Sequence, residues 1–106
     1  MSTKKNRISD SMKLLNKLIG SKMTFGDTLE AIRLADGLSQ SLFAKKLKIS
    51  QAHLSQIEKG TKLVSPERAR KFAKVLGYSE ITFIELSLQD QLQKSGIKMK
   101  IHLEPA

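Results

Sequence analysis

The sequence predicts an all-α fold of five to six short helices with a short β-strand after the last. Three observations carry this. Apolar residues recur at helical spacing along most of the 106 residues, serines and a threonine stand where helices would start, and glycines stand where they would end. The first helix is expected near 9–19, where Met12, Leu15, Leu18 and Ile19 share a face and Gly20 follows. The second, 25–36, opens on Thr24 with Asp27 three residues on, the pattern of a capping box, and closes at Gly37. Helices at 40–47 and 51–59 start from Ser39 and Ser50, and Gly60 ends the latter. Ser65-Pro66-Glu67 reads as a cap, a proline at the first helical position and an acid favoured by the helix dipole, opening 66–76 before Gly77. Ser79 opens 80–95, in which Ile81, Ile84, Leu88 and Leu92 keep helical spacing and Phe83 and Leu86 widen the apolar face. Beyond Gly96 the period changes to two. Ile97, Met99, Ile101 and Leu103 alternate with Lys98, Lys100 and His102, the pattern of a half-buried strand. A lone strand cannot satisfy its own backbone, and no second strand is visible, so the simplest partner is its own copy across a two-fold axis.

Three segments follow: a basic arm and helix over 1–23, a compact helical domain over 24–79, and a C-terminal helix and strand over 80–106. Lysine and arginine number 19 against 10 acids, a net charge of +9, which implies a polyanionic partner. The charge is uneven. Lys4, Lys5, Arg7, Lys13, Lys17 and Lys22 face only Asp10 in the arm, whereas over residues 80–106 acids outnumber cations. The absence of cysteine excludes a disulfide framework, a thiol nucleophile and Cys-based metal sites. His53 and His102 lack metal-ligand spacing, and no cofactor is expected. Leu14-Leu15 is interrupted by Asn16 and Lys17, so no signal peptide forms, and no run approaches the roughly 20 apolar residues of a membrane span. A cytoplasmic protein without membrane attachment is expected. The arm's apolar face has three outlets: the core, a dimer or anionic lipid.

The run from Gln40 to Lys59 carries the function. Phe43, Leu47, Leu54 and Ile57 form one apolar set over two short helices, with small Ala44 at their crossing. Lys48-Ile49-Ser50 is a three-residue turn that buries Ile49 and caps the second helix. This is the pattern of a helix-turn-helix, whose second helix enters the DNA major groove.

The chain resembles the Cro/C1-type (XRE-like) helix-turn-helix regulators over about residues 24–79. The resemblance rests on Arg33, Gly37-Leu38-Ser39-Gln40, Phe43-Ala44, Ile49-Ser50, Leu54 through Gly60, and Phe72 through Tyr78. It implies a lambda-repressor-like domain and a DNA-binding transcriptional regulator, more often a repressor. In place of the glycine usual in the turn stands Lys48. A non-glycine residue in the left-handed region costs about 1 kcal/mol, so the turn either carries strain or departs from the family geometry.

Carried over position by position, the resemblance implies that Gln51, Ala52, Ser55 and Gln56 face base edges. Glutamine suits adenine and the Ala52 methyl a thymine methyl; solvation of an exposed helix is the plainer role. Gln40 and Ser50 match phosphate-contacting positions, and Lys59 and Lys62 flank Gly60 as further phosphate ligands. His53 reaches a phosphate or a base, or stays on the rim. Arg33 and Glu58 pair internally in the family, in preference to Arg33 acting on phosphate.

The C-terminal helix face of Ile81, Phe83, Ile84, Leu86, Leu88 and Leu92 is more apolar surface than the preceding domain needs, and Ile84, Leu88, Leu92, Ile97, Met99, Ile101 and Leu103 read as a dimerisation surface. A homodimer places two reading helices about one DNA turn apart on a pseudo-palindromic operator. Two alternatives stand beside this repressor. One is an antitoxin that represses its own operon and holds a toxin protein through the C-terminal module. The other is a non-specific nucleoid or RNA-associated protein, disfavoured because the reading helix lacks stacking aromatics. An enzyme is not expected: there is no phosphate loop, no recognisable nucleophile–base pair and no metal set.

Overall fold

A computed structural model describes residues 23–106. The basic arm, the helix expected at 9–19 and Gly20 lie outside the described residues. Five helices follow in order: α1 Phe25–Ala35, α2 Gln40–Leu47, α3 Gln51–Lys59, α4 Pro66–Leu76 and α5 Glu80–Lys94. Each begins on a side-chain cap. The oxygens of Thr24, Ser39, Ser50, Ser65 and Ser79 each accept the backbone N–H three residues on, typically worth about 1 kcal/mol apiece. At α1 the box is complete, because Thr24 N–H also donates to the Asp27 carboxylate at 3.2 Å.

The helices enclose one core. Phe43, Ala44, Leu47, Leu54 and Ile57 bury the inner faces of α2 and α3 against Leu29 and Ile32 of α1 and Ala69, Phe72 and Ala73 of α4. Three aromatic contacts close its far side. Phe25 meets Phe83 edge-on at 5.5 Å and Phe72 at 6.4 Å, and Tyr78 stacks on Phe83 at 5.8 Å.

Phe83 and Leu86 therefore belong to this core, which corrects their reading as surplus apolar surface. Helix α5 is sewn to the rest by polar contacts as well. Buried Ser87 donates to the Val64 carbonyl at 2.6 Å, and Asp90 accepts the Phe25 N–H at 3.0 Å, capping α1 from the other end of the chain. Burial, opposed by that hydrogen bond, raises the Asp90 carboxyl above the usual carboxylate value, and nearby Asp27 adds to the rise. What α5 leaves only half-covered is Ile84, Leu88 and Leu92, with Ile81 exposed.

Gly26 decides how closely α1 approaches α3. A β-carbon there would overlap the Ile57 carbonyl oxygen, so only glycine lets the two backbones meet.

No strand forms within the described residues, in place of the one expected at 97–103. Gly96, at φ 75°, closes α5, and Ile97 N–H returns to the Leu92 carbonyl at 2.9 Å. The chain then runs back along α5. Gln89 Nε2 donates to Met99 O at 2.7 Å, Ile101 N–H donates to Gln89 Oε1 at 3.0 Å, and Leu103 N–H donates to Glu85 Oε2 at 2.8 Å. A ladder needs a second strand, and side chains of α5 stand in for one. Ile101 and Leu103 are half-buried by this arrangement, while Ile97 and Met99 remain 43% and 69% exposed.

Candidate nucleic-acid interface

Helices α2 and α3 are joined by Lys48-Ile49-Ser50. Lys48 adopts φ 60°, ψ 41°, the left-handed region, and is the one non-glycine residue with positive φ among those described. The turn keeps the glycine-type geometry and accepts the strain. Its reward is hydrogen bonding: Lys48 N–H reaches Lys45 O at 3.1 Å and Ile49 N–H reaches Ala44 O at 3.0 Å. Ser50 then caps α3 by accepting His53 N–H at 3.0 Å.

On α3, Leu54 and Ile57 point into the core. The spacing of Gln51, Ala52, Ser55 and Gln56 puts them together on the opposite face, where all but the half-buried Ser55 are exposed. Ser41 of α2 donates its hydroxyl to Gln51 Oε1 at 3.0 Å, which leaves both amide hydrogens of Gln51 for an outside acceptor.

Behind this face sits a lock. Arg33 Nε lies 2.8 Å from Glu58 Oε2 and Arg33 Nη2 3.0 Å from Glu58 Oε1, a bidentate pair. Arg33 Nη1 also donates to Leu38 O at 3.1 Å, and Gln40 Nε2 donates to Glu58 Oε1 at 3.0 Å. The Glu58 side chain is 2% exposed and that of Arg33 11%. The hydrogen bond to Glu58 raises the Arg33 pKa against the cost of its burial. Three elements are thereby tied to the end of α3: α1, the link before α2, and the first residue of α2. Gln40 is thus anchored inward by one amide hydrogen, leaving the other for an outside acceptor.

At the flank of α3, Arg68 of α4 places Nη1 3.2 Å from His53 Nδ1 and 3.3 Å from Nε2. Burial lowers the His53 pKa first, and the charges of Arg68 and Lys62 lower it further. Lys59 and Lys62 are exposed on either side of Gly60, and Thr61 and Lys62 return their N–H groups to Gln56 O. Lys59, Lys62 and Arg68 make a cationic rim around the polar face of α3, with His53 set among them.

Sequence spacing alone did not single out Arg68 or Ser41. Each acts through a residue on another helix, at a separation set only by helix packing. The carboxylate partner of Gln40 was hidden for the same reason.

A cleft of about 260 Å³ lies between the N-terminus of α1, residues 60–64 and the end of α5, and shares Lys62 with the rim. Its titratable side chains are Asp90, Lys62 and Lys94, and Asp90 is already engaged by Phe25. No cluster of metal-binding side chains occurs among the described residues, and none of their helices is long and apolar enough to cross a membrane.

A family model described as helix-turn-helix matches residues 29–83, just over half of the chain. No curated protein and no solved structure matches the chain.

Proposed function

The chain belongs to the Cro/C1-type helix-turn-helix family of DNA-binding transcription regulators, and from this premise we propose that it is a dimeric repressor. It reads a pseudo-palindromic operator through α3 and acts in the cytoplasm. The observation that carries this reading is the shape of α3 itself. One face is locked to α1 and α2 through Glu58, and the other offers Gln51, Ala52, Ser55 and Gln56 inside a cationic rim.

In this reading Gln51 and Gln56 donate to base edges, Ala52 meets a thymine methyl and Ser55 adapts to either. Gln40, Ser50, His53, Lys59 and Lys62, joined by Arg68, hold phosphates and set the register. Each phosphate neutralised steepens the salt dependence by about 0.9 in log–log slope. The half-covered residues Ile84, Leu88 and Leu92, with the segment 97–103, join two copies, so that two α3 helices stand about 34 Å apart.

Selection of bound duplexes from a random pool tests this. The expected product is an inverted repeat with half-site centres one helical turn apart. Gln51→Ala and Gln56→Ala should each lose preference at defined base pairs. Uniform coating without an enriched motif would instead fit a packaging protein and reject the repressor.

The exposed Ile97 and Met99 favour a second reading, in which the same surface holds a toxin protein and the chain acts as an antitoxin. A neighbouring toxin-like reading frame whose product copurifies with the chain is its test.

A further inference from the structure

The segment after α5 has two unlike edges. Met99, Ile101 and Leu103 turn backbone groups toward Gln89 and Glu85, which are four residues apart on α5. Four helical residues rise about 6 Å, and two residues of extended chain advance about 6.7 Å, so the bonds from Ile101 and Leu103 fit an extended segment antiparallel to α5. In such a segment the even-numbered residues turn their N–H and C=O groups to the other side. Among the described residues, no protein group pairs with the backbone of Lys98, Lys100 or His102. Though no strand forms in the single chain, that outer edge leaves its backbone groups open, and an open extended edge is a template for another strand.

The geometry points to a second copy of this chain as its occupant, paired antiparallel with Ile101 opposite Ile101 of the partner subunit. The inference rests on the dimeric reading above and specifies its register. Outward-facing groups must meet outward-facing groups, so even residues oppose even residues, and a symmetric pair has its two-fold axis at one residue. Centring on Lys100 opposes two ammonium groups, and centring on Met99 opposes Lys98 and Lys100 twice. Like charges directly opposite destabilise a ladder.

Centring on Ile101 removes both conflicts. Lys98 then faces Glu104 of the partner subunit, Lys100 faces His102 of the partner subunit, and each pairing occurs twice. On the other face, Met99, 69% exposed in the single chain, meets Leu103 of the partner subunit. Moving the axis to His102 pairs Lys100 with Glu104 of the partner subunit, but it opposes two imidazoles, leaves Lys98 against Ala106 of the partner subunit and sets Met99 against Pro105 of the partner subunit. Ile101 is the centre that pairs Lys98 with an acid and keeps Met99, Ile101 and Leu103 together in one apolar row.

The chain contains no cysteine, which makes the register directly measurable. At the two-fold axis, Ile101 occupies a non-hydrogen-bonded pair with Cα atoms about 4.5 Å apart, within the span of a disulfide. Ile101→Cys in the full chain, under mild oxidation, should convert nearly all protein to a covalent dimer. Met99→Cys, Lys100→Cys and His102→Cys should stay reduced. Lys98→Glu should weaken the dimer about tenfold by sedimentation, and Lys98→Glu with Glu104→Lys should restore it.

A wild-type dimer in which Ile101→Cys stays reduced while Lys100→Cys or Met99→Cys cross-links overturns the register and leaves the repressor reading standing. A wild-type monomer at micromolar concentration overturns both. Failure of the charge exchange to restore dimerisation also counts against the register, independently of any folding defect in the cysteine variant.

Discussion

The α2–turn–α3 unit and the segment after α5 handle their polar groups in opposite ways. Around α3, Glu58 is 2% exposed and receives Arg33 through two nitrogens and Gln40 through one, all from the same chain. Along residues 97–103, one backbone edge is held by Gln89 and Glu85 and the other has no partner among the described residues. A buried charge stranded by the loss of its partner costs several kcal/mol, whereas an exposed N–H can turn to water. The reading helix must therefore be completed inside the chain, while the C-terminal edge can wait for a second one. What stays open on α3 is its polar face and the cationic rim beside it.

The largest effect should come from breaking the lock. Arg33→Ala strands Glu58 and should cost about 3–5 kcal/mol in chemical denaturation, with DNA affinity falling as α3 loses its anchor. An unchanged melting temperature with weakened DNA binding would mean that Arg33 works mainly on phosphate. Next is Gly26→Ala, whose added methyl forces α1 off Ile57. A loss of about 1–3 kcal/mol is expected, although the substituted residue lies outside the α2–α3 pair. A neutral result would show that the α1–α3 contact yields freely.

Lys48→Gly sharpens the comparison in the other direction. Removing the β-carbon from a residue at φ 60° should stabilise the domain by up to about 1 kcal/mol, less the entropy gained by the unfolded chain. A loss of stability would mean that the lysine side chain contributes contacts that outweigh the strain.

The smallest effect, a few-fold in affinity, concerns the rim. His53 has a lowered pKa in the free protein, so it is neutral at pH 7. A phosphate beside it would favour the protonated form, so DNA binding takes up a proton. Affinity should rise as pH falls toward and through the free protein's His53 pKa. His53→Gln should flatten that rise, and Arg68→Gln should reduce the salt slope by about one. A His53→Gln protein with the wild-type pH profile would remove His53 from the interface.

Much of this was legible from residues close in sequence. Serine and threonine caps and terminal glycines marked the helices from 25 onward to within a residue or two, because a cap is satisfied by its own first turn. The Lys48 turn was legible as a question, strain or a different geometry, and the structure answers strain. The segment at 97–103 was legible as alternating but not as a tether, because alternation describes faces and says nothing of which groups meet the edges.

By itself the sequence determined the number and ends of the helices in the described chain, the helix-turn-helix and the polar face of α3. Each depends on contacts within one or two turns. Tertiary structure decided that Phe83 and Leu86 complete the core, that Asp90 caps α1 and that Ser41 holds Gln51. It also decided that Arg68 lies on His53 and that Gln89 and Glu85 hold one edge of the terminal segment. Those contacts join separate elements, and their existence depends on packing angles that no local pattern encodes.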